Sequence, residues 1–176
     1  IEGRGVVKES FPLPPLKFME LAAENEWEES DLYNRFDGTR YFFVVFEESG
    51  GSYRFRGAKF WSMPSIDLDG PVHECWQRTK DVIQEGVRFN VKKRKDGSIR
   101  VENNLPGSKD NPVAHVRPHA NKAAYRFADG TESGDVQKNA YPLPDGRMMT
   151  KQSFWLNNTY VYSALLHYNA NGLDES

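Results

Sequence analysis

His115, Arg117 and His119 fall within five residues, in the stretch VAHVRPHANKAA from 113 to 124. Two histidines four apart have the spacing at which a helix aims two imidazoles at one zinc ion. An arginine held on a rigid element does different chemistry: its planar fork grips a guanine edge with two hydrogen bonds. The two uses need different backbones, and Pro118 decides between them. Proline inside the pair removes a helical hydrogen bond, and Val113, Ala114 and Val116 read as strand. On a strand His115 and Arg117 share a face while His119 lies past the proline. No glutamate stands where a zinc protease would need one, so the sequence predicts no metal site here. Arg117 at the end of a strand is left as a base-reading candidate. The plainer reading, an arginine that satisfies a buried carboxylate, stays open on the residues alone. Asn121 and Lys122 follow, and Lys151 and Gln152 open a segment whose pattern predicts a final helix. The N-terminus of such a helix can itself meet phosphate.

Other chemistry is poorly represented. Cys75 is the sole cysteine, and it sits beside an apolar helical stripe, which predicts packing rather than a reactive thiol. No serine occupies a Gly-x-Ser-x-Gly turn, and no glycine-rich loop is built to cradle phosphate. His73 and His167 are isolated helical histidines, read as surface or capping residues. A magnesium-dependent nuclease would carry Glu-x-Lys on a strand with a further acid upstream, the carboxylates holding the metal. The first strand offers Val6-Val7-Lys8, with valine where the acid belongs; Glu9 points to the opposite face. Lys8 therefore reads as a degenerate remnant, and no catalytic residue is assigned.

The chain of 176 residues suffices for one domain with a substantial core. A net charge of −2 argues against a wholly basic nucleic-acid-binding surface, but the charge is uneven. RFNVKKRKDGSIR, residues 88–100, carries Arg88, Lys92, Lys93, Arg94, Lys95 and Arg100 against Asp96 alone, whereas ENEWEES at 24–30 is acidic. The basic stretch suits phosphate contact and suits a solvated hairpin tip equally well. No apolar run approaches the roughly 18 residues of a membrane helix, and no signal-peptide pattern opens the chain. With one thiol and no disulfide framework, the expectation is an intracellular, cytoplasmic protein. The opening IEGR matches a protease-cleavage linker, and it also runs on into GVVKES as a strand. A domain cut from a longer protein is expected.

The elements that must position these residues follow from periodicity. GVVKES predicts a strand, and FPLPPLKF a proline-rich turn with Pro15 in the first turn of a helix. EESDLYNRF predicts a capped helix through Phe36, ended by Asp37-Gly38. YFFVVF at 41–46 is continuously apolar, as a central strand buried on both faces would be. ESGGS turns it into YRFRGAKFW, which places Tyr53 and Phe55 on one face and Arg54 and Arg56 on the other. Pro71 opens the strongest helix, with Val72, Trp76, Thr79 and Ile83 in one stripe and Gly86 as its stop. A second hairpin turns at Asp96-Gly97. VAHVR is a strand ended by Pro118, residues 120–146 a long loop, and 151–168 a helix with Phe154, Tyr162, Leu165 and Leu166 inward. The result is an α/β (α+β) domain over 1–168, a mixed sheet flanked by helices, with a frayed tail at 169–176.

Several of these pieces, taken in order, resemble the MutH family, which contains the mismatch-repair nicking enzyme and GATC-cutting type II restriction endonucleases. They are Trp61-Ser62-Met63-Pro64 with the acidic helix bearing Trp76, Val116-Arg117-Pro118, and LPDGRMMTKQSFW from Leu143. The resemblance runs from about residue 5 to 168. It implies a restriction-endonuclease-like fold and an Arg117 that approaches GATC bases from the major groove. His119 stands where the nicking enzyme has lysine, and the family's methyl-sensing aromatic falls near Met148. Lys151 and Gln152 fall near the family's basic helix start. Some restriction enzymes of the family look like two tandem MutH-like domains, the second without its acids, and this chain resembles that second domain. The implied role is binding of GATC-type duplex DNA as a C-terminal, allosteric domain that needs no cofactor of its own. Magnesium would serve the parent endonuclease, and the implied partners are DNA, an N-terminal catalytic domain of the same chain and a second copy on DNA. Arg117, His119, Asn121, Lys122, Lys151 and Gln152 would form the reading surface, with Lys92, Lys93, Arg94, Lys95, Arg54 and Arg56 on phosphates. An active magnesium-dependent endonuclease with unrecognised acids is the competing expectation.

Overall fold

The computed structural model describes residues 7–166. In chain order the elements are β1 (Phe11–Leu16), α1 (Phe18–Ala23), a 3-10 turn (Trp27–Glu29), α2 (Asp31–Phe36), β2 (Tyr41–Ser49), β3 (Ser52–Trp61) and α3 (Ser65–Asp67). A wide turn (Leu68–Val72) leads into α4 (His73–Glu85), β4 (Phe89–Lys93), β5 (Ile99–Asn103) and β6 (Ala114–Pro118). Then come β7 (Tyr125–Arg126), β8 (Glu132–Ser133), α5 (Val136–Asn139), β9 (Ala140–Pro142), β10 (Met148–Thr150), β11 (Gln152–Leu156) and α6 (Asn158–Leu166). The fold is α+β. Its described sheets are small and their pairings antiparallel: β1-β11-β6, β8-β7-β10-β9, and the hairpins β2-β3 and β4-β5.

Several local expectations hold. Ser30 caps α2 by accepting from the Tyr33 amide at 3.1 Å, and Gly38 follows with φ +65°. The stripe Val72, Trp76, Thr79 and Ile83, which runs from the cap of α4 along the helix, is buried, and Cys75 lies among it. Gly86 ends the helix at φ +100°. Helix α4 packs on α1 and β6, and Trp76, Phe18, Phe36, Ile83, Met149 and Leu156 are the large side chains at the centre of the core.

Several segments differ from the sequence-based expectation, four of them for a clear physical reason. Pro15 is in a strand, not a helix: β1 lies at the edge of its sheet, where prolines need not donate to a second neighbour. Helix α1 starts only after Lys17. YFFVVF is not buried on both faces. Among the described residues strand β2 pairs with β3 alone, and of YFFVVF only Tyr41, Phe43 and Val45 turn inward, Tyr41 and Phe43 meeting Phe11 and Trp61. An unbroken apolar run leaves one face and two faces indistinguishable. The 120–146 stretch is not one loop: β7, β8 and β9 form there and join β10 in a four-stranded sheet, with the short helix α5 between β8 and β9. Its glycines and aspartates make the tight turns between very short strands. The last segment is not helical from 151. Gln152–Leu156 is the middle strand of its sheet with all five residues buried, and the helix begins at Asn158. Full burial erased the alternation that marks a strand.

The strand expected at GVVKES is absent from Val7 to Ser10, where the chain is irregular. Its earlier residues, His167 and the 169–176 tail lie outside the described residues. Among the described residues no helix is long and apolar enough to cross a membrane.

Candidate nucleic-acid interface

The strand reading of HVRPH is correct, and it separates the histidines. His115 is buried, with Nδ1 at 2.6 Å from Asn157 Oδ1. Burial pushes its pKa below the ordinary histidine value, and the nearby Arg117 charge adds to that against the Asn157 hydrogen bond. His119 is exposed at the far side of the proline. Among the described residues no three His, Cys, Asp or Glu side chains gather as metal ligands would.

Strand β11 supplies what the sequence reading missed. Register pairs Ser153 with Arg117 and Trp155 with His115, so Ser153 and Trp155 share a face with the arginine. The Arg117 guanidinium lies 4.0 Å from the Trp155 ring centre, and the Trp155 indole N–H donates to the Arg117 carbonyl at 3.3 Å. His119 Nδ1 is 2.7 Å from Ser153 Oγ, and its ring lies 5.2 Å from that of Trp155. One indole and one hydroxyl thus fix the arginine and the histidine, while both remain exposed at the surface. Reading 151–156 as helix hid this, because a helix would not place residues 153 and 155 on one face.

Lys151 joins the patch by backbone: the His119 amide donates to its carbonyl at 2.8 Å. Its ammonium donates to the Lys138 carbonyl at 2.7 Å and lies over Tyr141. Gln152 is buried, 1% exposed, and its amide donates to the Thr150 carbonyl. Neither residue opens a helix, so the helix N-terminus expected to face phosphate is not there; Gln152 supports the strand from inside. Asn121 and Lys122 are exposed on the loop to β7. That loop is tied at one end by His119 and at the other by Ala124, whose amide donates to Thr150 Oγ1 at 2.9 Å.

The basic hairpin β4-β5 is a separate arm. Phe89 at its base packs edge-on against Tyr125 and Phe127, and the Arg147 guanidinium covers the same ring at 4.5 Å. Lys92 is paired with Glu102 at 2.7 Å, and this bond holds the Glu102 carboxyl below its usual range. Arg100 contacts the same carboxylate at 3.4 Å. Lys93, Arg94 and Lys95 are exposed at the tip without an ion pair among the described residues. Of the β3 arginines, Arg56 is committed to Glu47 at 3.1 Å.

Lys8, Glu9, Ser108, Asn158 and Arg117 line an open depression of about 510 Å³. Among the described residues its one carboxylate is Glu9, and Lys8 reaches out to Glu48 at 3.7 Å. A magnesium ion in a nuclease needs more acidic donors than this, so the described residues do not fit one. Met148 pairs with Arg126 and Pro142 in β10. His73 is not a free surface histidine: it stacks on Trp27 at 4.8 Å with the rings 12° apart. Cys75 is buried and its thiol is pushed up to about 12, which makes it a poor nucleophile.

No protein-family model matches the chain. A curated relative does: the chain is 40% identical over 173 residues to the type II restriction enzyme Sau3AI of Staphylococcus aureus. The chain is related to part of a restriction enzyme. The match takes in 90% of this chain and 35% of that protein, so the chain spans about a third of its relative's length. The relationship fits the α+β architecture.

Proposed function

We propose that this chain is a duplex-DNA-binding domain of a type II restriction endonuclease of the MutH-like kind. It recognises GATC-type sites and serves as the C-terminal regulatory domain of a longer cytoplasmic protein whose magnesium-dependent catalytic domain lies outside this chain. The observation that carries the reading is Arg117, held on the Trp155 ring at the exposed end of β6. A guanidinium fixed in this way presents its donor fork without first losing side-chain freedom, which suits bidentate readout of guanine. His119 lies beside it with Nε2 facing away from Ser153, and Asn121, Lys122 and Lys151 flank the pair. Lys93, Arg94 and Lys95 supply phosphate contacts from the hairpin arm. The identity to Sau3AI supports both the DNA-binding role and the place in a restriction enzyme. The non-catalytic role is supported by Val6 at the acid position of Glu-x-Lys, two residues before Lys8, and by a depression with one carboxylate among the described residues.

The test is a binding titration of the chain against a GATC duplex and a scrambled duplex, with and without magnesium. Preference for GATC that does not need magnesium is expected; equal affinity for both duplexes would refute base reading. One observation favours a second reading, an active nuclease: Lys8 and Glu9 line the same depression as Arg117. Magnesium-dependent cutting of GATC plasmid that disappears in Lys8→Ala would establish that reading instead.

A further inference from the structure

Strand β2 and strand β3 form a two-stranded sheet whose outer face carries Phe42, Val44, Phe46, Tyr53, Phe55 and Phe60, between 46% and 72% exposed. Register explains why they share that face: Phe42 pairs with Phe60, Val44 with Ala58, and Phe46 with Phe55. Arg56 is the extra residue of a bulge next to Gly57, which has φ +149°, and the bulge keeps the aromatics of β3 aligned with those of β2 beyond it. The inner face, with Tyr41, Phe43 and Trp61, is already spent on the core.

The six side chains leave on the order of 600 Å² of apolar surface open, as much as the largest patch on a typical monomer. Phosphate does not favour such a surface; another apolar sheet does. Two such faces in contact would remove about 1,200 Å², the lower bound of a stable interface, before the rim is counted.

The ends of the face are charged with opposite sign. Along the outer side of β2 the order is Arg40, Phe42, Val44, Phe46, Glu48. The Arg40 guanidinium lies over Phe60 at 4.4 Å, which places it on this side. Glu48, cross-strand from Tyr53, ends the row. Its contact with Lys8 is long, 3.7 Å, and that lysine is mostly in water, so the carboxylate stays available. The two charges stand eight residues apart, about 26 Å along a strand. A two-fold axis that packs two such faces with strands antiparallel sets Arg40 of each copy over Glu48 of the other. It also lays the narrow Val44–Ala58 waists across each other. A patch that is complementary to itself under that rotation is what an isologous dimer requires.

We propose that the outer face of the β2-β3 hairpin is the docking surface for a second copy of this chain, joined face to face with antiparallel strands and independent of DNA. Sedimentation equilibrium of the 176-residue chain without DNA, from low to several hundred micromolar, tests it. A reversible monomer–dimer equilibrium is expected. Phe46→Glu, at an exposed position that leaves the core intact, should raise the dissociation constant by at least about tenfold. Arg40→Glu and Glu48→Arg should each weaken the dimer several-fold by facing like charges, and the double variant should recover it. A chain that stays monomeric throughout would overturn the proposal and leave the face to another part of a longer protein. So would a dimer indifferent to Phe46→Glu, or charge variants that the double exchange does not rescue. If Phe46→Glu fails to fold by circular dichroism, the charge exchange decides alone. The measurement contains no DNA, so its outcome leaves the GATC titration untouched.

Discussion

Arg117 and Trp155 hold each other from adjacent strands, the guanidinium 4.0 Å from the ring centre and the indole N–H donating to the arginine's own carbonyl. The ring fixes the side chain and the N–H fixes the backbone beneath it. Arg117→Ala should therefore cost about 1–3 kcal/mol of GATC binding and remove most of the discrimination against scrambled duplex. Trp155→Leu should leave the guanidinium present but mobile, so discrimination falls while affinity for scrambled duplex holds. Fluorescence anisotropy on both duplexes, below the melting temperature of each variant, separates the two effects. Discrimination that survives Trp155→Leu would show that the ring is packing and nothing more.

The proposed reading gives the hairpin arm a different behaviour, with its cations on phosphate rather than on bases. Lys93→Ala is expected to weaken binding to GATC and scrambled duplexes alike and to lower the slope of log affinity against log salt by about 1. Lys92→Ala should do less, since Lys92 is already shared with Glu102 at 2.7 Å. A salt series on the wild type and both variants checks this ranking.

The site was legible in the sequence as far as strand β6 and no further. Pro118 was enough to turn HVRPH from a metal pair into a strand with an arginine at its end, and the structure agrees. The support of that arginine was not legible. Ser153 and Trp155 reach it from a strand 36 or more residues away in sequence, and the five buried residues of β11 showed no alternation to mark it. The helix α4 could be read because one face of it is exposed. The hairpin β2-β3 was read correctly as a hairpin but not as an open face, because a run of aromatics states what is apolar and not what covers it. The four-stranded sheet escaped because strands of two and three residues carry no period.

That small sheet depends on Gly134, which has φ +75° and sits so close to the Ala123 carbonyl oxygen that a Cβ would collide with it. The neighbour is backbone and cannot swing aside. Gly134→Ala is expected to destabilise the chain by about 1–3 kcal/mol through this clash and the left-handed backbone. Urea denaturation should show a lower midpoint, whereas Gly130→Ala, with open space around it, should cost only its backbone strain and so move the midpoint less.

Cys75 offers a probe of folding that is independent of DNA. Buried and with its thiol pushed up to about 12, it holds almost no thiolate near neutral pH. A disulfide reagent should label it slowly in the native chain and rapidly in urea. Fast native labelling would mean that α4 opens on the time scale of the reaction.

His115 gives the acid side of the stability profile. Its folded pKa lies below the ordinary histidine value, first because it is buried. The unfolded chain therefore binds the proton more readily, and stability rises with pH across this window. The contribution is complete above the unfolded pKa of about 6.5 and is lost as pH falls through the lower folded value. Denaturant midpoints measured from neutral pH down to about 5 should fall in the wild type and change less in His115→Gln, which cannot titrate there. Because Arg117 adds to the depression, Arg117→Ala should shrink the same loss in part. A profile identical in all three proteins would place the acid sensitivity elsewhere.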